Sequence, residues 1–167
     1  MPGIDESPAD DEDFWSLTLS LLKKGHEVRF SAPGSSMTPF VRGGETVTVV
    51  GCSPETLKFG DIVLYSTTPD ALSSYKRLHR FMKRSVMKGN PVLLTKGDAL
   101  SFLDAPVSPD QVLGKVSSIK KGSWTLDLNQ PLGRAINLGF TVFQLWALAS
   151  WVTHIGCKLT RLFVRSA

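Results

Sequence analysis

Cysteine is scarce in this chain: the two present, Cys52 and Cys157, lie far apart, with no Cys-x-x-Cys pair and no histidine at metal-ligand spacing beside either. A thiolate metal site is therefore excluded; both are read as free thiols, and neither a metal nor a cofactor is expected. The N-terminus also lacks a basic segment followed by an apolar one, since Glu6, Asp10, Asp11, Glu12 and Asp13 precede Phe14. A cleavable export signal is not expected from that pattern. No basic platform interleaved with aromatics is visible, which argues against single-stranded nucleic acid as a partner. The net charge of +4 hides an asymmetry, with acids crowded into Met1–Asp13 and Lys and Arg dominating Lys76–Lys88 and the last ten residues. An acidic tail and a basic, membrane-facing end suit that distribution better than a nucleic-acid groove.

What remains is ordinary in composition, and 167 residues suffice for one sizeable core but not for two independent domains. Met1–Ala9, with two prolines and little apolar content, cannot bury enough surface to offset its ordering entropy, so residues 1–12 are expected to form a disordered acidic tail. From Asp13 to Lys24 the residues Phe14, Trp15, Leu17, Leu19, Leu21 and Leu22 cover a broad helical face, with acids at the start, lysines at the end and Gly25 following. That is the pattern of a short amphipathic helix with a glycine C-cap.

The period then changes. Val28–Phe30, Thr46–Val50, Ile62–Tyr65, Val92–Thr95, Val112–Ile119 and Trp124–Leu128 are short, β-branched and bounded by Gly, Pro or Asp, and Leu78–Phe81 is a further strand-like segment. With no helix between most of them, they predict a mainly β fold: a compact antiparallel domain over 13–130, rather than a doubly wound α/β sheet. Residues 131–167 differ, because Ala135–Ile155 carries no formal charge while Arg134 precedes it and Lys158, Arg161 and Arg165 follow. The length is near that of a bilayer span. Yet Asn137, Thr141, Gln144 and His154 fall near one helical stripe with those cations, so this apolar C-terminal helix either associates with a membrane or packs on the β domain.

Three clusters could carry chemistry. Gly34-Ser35-Ser36-Met37-Thr38-Pro39 places a serine between a glycine-containing turn and an x-Pro step, where backbone is stiff and exposed. His79, in Leu78-His79-Arg80-Phe81, could take a serine proton and return it to a leaving amine, because an imidazole ordinarily titrates near neutrality. His26 and His154 lie in no comparable motif and read as structural. Asp98 and Asp104, six positions apart after Thr95-Lys96-Gly97, offer two carboxylates, either of which could hold the histidine in the right tautomer. Each could equally be a turn aspartate bonded to its own backbone.

In order along the chain, Gly34–Pro39, Phe59-Gly60-Asp61-Ile62-Val63, His79-Arg80, Lys96-Gly97-Asp98 with Asp104, and Gly114-Lys115-Val116 resemble the motif boxes of signal peptidase I. They cover Phe30 to Ile119, and the histidine at the base position resembles the endoplasmic-reticulum-type branch. The resemblance implies the antiparallel β fold shared with LexA-like self-cleaving repressors, and a serine endopeptidase acting on an extended precursor or leader peptide. It implies Ser36 as nucleophile, His79 as base, Asp104 as the orienting acid by its offset from the Gly-Asp pair, and Asp98 as a second important aspartate that shapes the loop. It also implies the Ser36 N–H as an oxyanion donor; where some relatives add a serine hydroxyl two residues earlier, this chain has Gly34.

Such peptidases usually carry a membrane anchor ahead of the Ser-Met box, whereas Asp13–Lys24 is too short to span a bilayer. Membrane association is thus expected through 135–155, with a cytoplasmic location as the alternative. A self-cleaving regulatory domain and a non-catalytic binding module are the competing readings. The former predicts a lysine where His79 stands and an attached DNA-binding helix pair.

Overall fold

The computed structural model describes the backbone of residues 12–68 and 75–164, and the side chains of 13–68 and 75–147. The expected disordered tail lies outside the described residues except for Glu12, as do the side chains of His154 and Cys157.

The first helix, α1 (Glu12–Lys23), buries Trp15, Thr18 and Leu22 at helical spacing and ends where Gly25 takes a left-handed φ of 82°. Gly25 N–H then donates to Leu22 O and His26 N–H to Leu21 O, satisfying carbonyls that the helix end leaves open. His26 itself is exposed. Phe14 and Trp15 pack edge-on against Phe30, at centroid distances of 6.2 and 5.6 Å, and this aromatic contact seats α1 on the sheet.

Seven strands follow among the described residues: β1 (Val28–Ser31), β2 (Thr46–Val50), β3 (Ile62–Ser66), β4 (Lys76–Met87), β5 (Asn90–Lys96), β6 (Val112–Lys121) and β7 (Trp124–Asp127). All pairings are antiparallel and the order is β1-β2-β6-β3-β4-β5, with β7 on β6. The mainly antiparallel β architecture with one helix at each end is therefore the observed fold. β4 extends well past Leu78–Phe81, because it pairs with β5 up to Met87↔Asn90 around a two-residue turn. Lys88 (φ 51°) and Gly89 (φ 82°) both take the positive φ that such a hairpin turn requires.

Because successive strand residues face opposite ways, β3 supplies two cores. Ile62 and Leu64 join Val47, Val49, Ile119 and the α1 side chains, while Val63 and Tyr65 join Leu57, Phe81, Leu93 and Val107. Burial of each aliphatic side chain of this kind contributes roughly 1.5–3 kcal/mol.

The second helix, α2 (Pro131–Val164), begins ahead of the uncharged run, at a proline suited to the first helical turn. Its polar residues Asn137 and Thr141 are buried against the β domain, and Gln144 hydrogen-bonds into it. Leu132, Ile136, Val142, Phe143 and Trp146 are exposed. Among the described residues no helix is long and apolar enough to cross a membrane. The span-like appearance of the run at 135–155 is corrected accordingly: Asn137, Thr141 and Gln144, which interrupt its described part, dock the helix on the β domain.

Candidate active site

The Ser36 turn is built by burial on either side of the serine. Met37, Phe40 and Val41 are buried in the larger core, and Val41 N–H donates to Met37 O at 2.9 Å and Thr38 N–H to Ser35 O at 3.0 Å. Gly34 takes a φ of 74°, a conformation open to glycine at little cost. With its neighbours anchored, Ser36 stays only half-buried, and its N–H donates to no other described backbone group.

His79 lies on β4, between β3 and the edge strand β5, opposite Val63 of β3, and is 3% exposed. Its Nε2 is 2.9 Å from Ser36 Oγ and its Nδ1 is 2.6 Å from Asp104 Oδ2. Asp104 is held in turn by Thr95 Oγ1, which donates at 2.7 Å, and by the Tyr65 hydroxyl, which donates at 3.2 Å. Its backbone N–H returns to Thr95 O at 2.9 Å, closing the loop after β5. Burial alone would push the Asp104 carboxyl up, but hydrogen bonds from His79 and Thr95, the attraction of His79 and the Tyr65 hydroxyl outweigh it and hold the pKa below its ordinary value. Burial pushes the Tyr65 phenol up to about 12, so it remains a proton donor.

Asp98 goes elsewhere. Neither a partner of His79 nor a turn aspartate capping its own loop, it accepts two hydrogen bonds from Arg80, Nε to Oδ1 at 2.8 Å and Nη2 to Oδ2 at 2.6 Å. Arg80 is 1% exposed and its Nη1 donates to Gly60 O at 2.9 Å and to Asn137 Oδ1 at 2.5 Å. The guanidinium also lies against the rings of Phe40 and Phe140, at 4.8 and 5.6 Å. One cation thus ties together the nucleophile turn, the Gly60 turn, the Gly97-Asp98 loop and α2. That loop meets the nucleophile directly, since Ala99 N–H donates to Ser36 O at 2.8 Å.

Ser36 and His79 open onto a cleft of about 380 Å³, walled mainly by Trp15, Phe30, Ala32, Leu64 and Leu78. It runs between the end of β1 and the start of β4. An imidazole hydrogen-bonded to a hydroxyl on one side and a carboxylate on the other can accept the hydroxyl proton while the carboxylate stabilises the resulting cation.

Comparison with protein-family models, curated proteins and solved structures returns no match. The assignment of chemistry therefore rests on this chain's own geometry.

Among the described residues no group of His, Cys, Asp or Glu could hold a metal ion. Cys52 is a free thiol pushed up to about 11, chiefly by burial, which makes it a poor nucleophile. Sequence reasoning did not reach Tyr65, Thr95, Arg80 or Asn137 as site residues. Arg80 lies inside a recognised box and Thr95 directly before one, which is a usable signal. Tyr65 and Asn137 carry none, because they reach their partners across 39 and 57 residues.

Proposed function

We propose that the chain is a serine endopeptidase of the signal-peptidase type, with Ser36 as nucleophile, His79 as general base and Asp104 as its orienting acid. The observation that carries this reading is the unbroken relay from Ser36 Oγ through both nitrogens of His79 to Asp104, at 2.9 and 2.6 Å. His79 takes the Ser36 proton as the hydroxyl attacks the scissile carbonyl, then gives it to the leaving amine. Water clears the acyl-enzyme by the same steps reversed. The Ser36 N–H, which donates to no other described backbone group, is the donor available to the oxyanion, and Gly34 leaves no side-chain hydroxyl beside it.

An extended precursor or leader peptide fits the cleft, where the edge of β1 offers backbone pairing and the apolar walls accept small or apolar side chains before the cut. The LexA-like fold type belongs to the same reading. We place the enzyme at a membrane surface, on the support of the exposed α2 residues Val142, Phe143 and Trp146 and of Phe102 and Leu103 in the loop that carries Asp104.

The test is a peptide-library digest read by mass spectrometry with wild type, Ser36→Ala and His79→Ala. Cleavage by wild type alone is expected. Equal cleavage by all three would end the proposal, and a time-dependent split of the chain's own intact mass would favour self-cleavage instead.

A further inference from the structure

Beside the catalytic cleft lies a second cavity, of about 440 Å³, between the loop after β5 and α2. Its lining includes Lys96, Asp98, Leu100, Ser101, Phe143 and Gln144. Leu100 lines both cavities, so a peptide leaving the cleft needs to cross only one side chain to enter the second. The loop itself is in hydrogen-bond contact with the nucleophile's backbone, Ala99 N–H to Ser36 O.

At this cavity sits an incompletely satisfied cation. Lys96 is 6% exposed, yet its ammonium donates to a single described acceptor, Gly97 O at 3.1 Å, and forms no ion pair with a described residue. An ammonium has three donors. The carboxylate of Asp98, which might have matched it, is occupied on both oxygens by Arg80. Burial holds the Lys96 ammonium below the usual lysine range, against the pull of Asp98, with Arg80 adding to the lowering. An ammonium with donors to spare at the wall of an open cavity is placed to receive an anion. The rest of the lining suits a short acidic side chain: Leu100 and Phe143 provide apolar walls, and the Ser101 hydroxyl and Gln144 amide provide polar edges.

We infer that this cavity is a second substrate subsite, in which Lys96 receives the carboxylate of an Asp or Glu that follows the cleaved bond. The inference rests on the peptidase reading and adds to it a preference on the leaving side. Lys96 here is a specificity-determining residue, separate from the proton relay.

The experiment uses quenched-fluorescence peptides built on a sequence returned by the library digest, with one Glu or one Gln moved through the positions after the cut. With wild type, Glu at one position is expected to raise kcat/KM about tenfold over Gln, mainly through KM, as one charge-assisted hydrogen bond would. With Lys96→Met the Glu and Gln peptides should become equal. Absence of a Glu preference at every position, or its survival in Lys96→Met, would overturn the inference. The Glu-to-Gln comparison in unaltered protein needs no variant to fold. Binding of a fluorescent acidic library peptide and its Gln counterpart to Ser36→Ala, by anisotropy, separates the two proposals. If wild type cleaves nothing, the peptidase reading fails, while tighter binding of the acidic peptide still supports the subsite and equal binding removes it.

Discussion

Arg80 and Asp98 meet side on, through two hydrogen bonds of 2.8 and 2.6 Å, with both side chains 1% exposed. His79, the preceding residue, faces the other side of β4 and meets Asp104. Alternation along a strand thus assigns the two aspartates to two neighbours: one acid orients the imidazole and the other neutralises the buried cation beside it.

Those different partners predict different failures. Asp98→Asn leaves Arg80 as an uncompensated buried charge and should lower stability by about 3–5 kcal/mol, measured by urea unfolding. Asp104→Asn should fold with a smaller loss, while turnover of a library-derived peptide falls by about 10⁴-fold through the wrong imidazole tautomer. If Asp98→Asn alone abolished turnover at unchanged stability, the roles would have to be exchanged.

Asp104 also has a pH signature. Its folded pKa lies below the ordinary 3.8, because the bonds from His79 and Thr95 outweigh the effect of burial. The unfolded chain therefore binds that proton more readily, so the stabilisation is fully present above the ordinary pKa and is lost as pH falls through the folded one. Unfolding free energy should decline below about pH 5 with a steeper slope in wild type than in Asp104→Asn. Thr95→Val, lacking one donor, should make the decline smaller than in wild type, because its folded Asp104 pKa lies nearer the unfolded value, and superimposable curves for all three would contradict this account.

Asn137 joins α2 to the site by accepting from Arg80 Nη1 and donating to Gly60 O at 2.9 Å. Asn137→Ala should cost about 1–3 kcal/mol, the range for an unsatisfied buried polar group. Amide hydrogen exchange at Ala99, whose N–H is bonded to Ser36 O, should speed up as the loop loosens. Unchanged exchange there would show that α2 does not support the loop.

Gly97 tests how closely the loop must approach the nucleophile. A Cβ at this position would lie 2.8 Å from Ser36 O, a backbone atom that cannot swing away. Gly97→Ala should displace Ser36 and lower turnover by about 100-fold or more, as misplacement of a reacting group near 1 Å does. Peptide kinetics beside circular dichroism would check this, and near-normal turnover in a folded variant would refute it.

Local pattern carried much of the fold. The helix before Gly25 is visible because Phe14, Trp15, Leu17, Leu19, Leu21 and Leu22 give it a broad apolar face ahead of two lysines and a glycine, and the strands through Val47 and Val49 or Ile62 and Leu64 because side chains that are to be buried must be apolar. The outer half of β4 was not legible. From Lys83 to Met87 no residue is buried, and the strand persists there through its ladder to β5 and the turn at Lys88-Gly89.

At the site, the order of the boxes singled out Ser36, His79, Asp98 and Asp104, since those residue types in that order are themselves sequence. The residues themselves left the two aspartates interchangeable and only the resemblance pointed to Asp104 for His79; the contacts are set in the folded chain, by strand alternation and a loop returning to Thr95. Tertiary structure also decided that Asn137 and Thr141 of α2 turn inward, Asn137 completing the bonds of Arg80, while Val142 and Phe143 face out. The sequence shows a stripe of polar residues on an apolar helix. Whether that stripe meets lipid, water or protein depends on a buried arginine 57 positions away, and only the folded chain brings the two together.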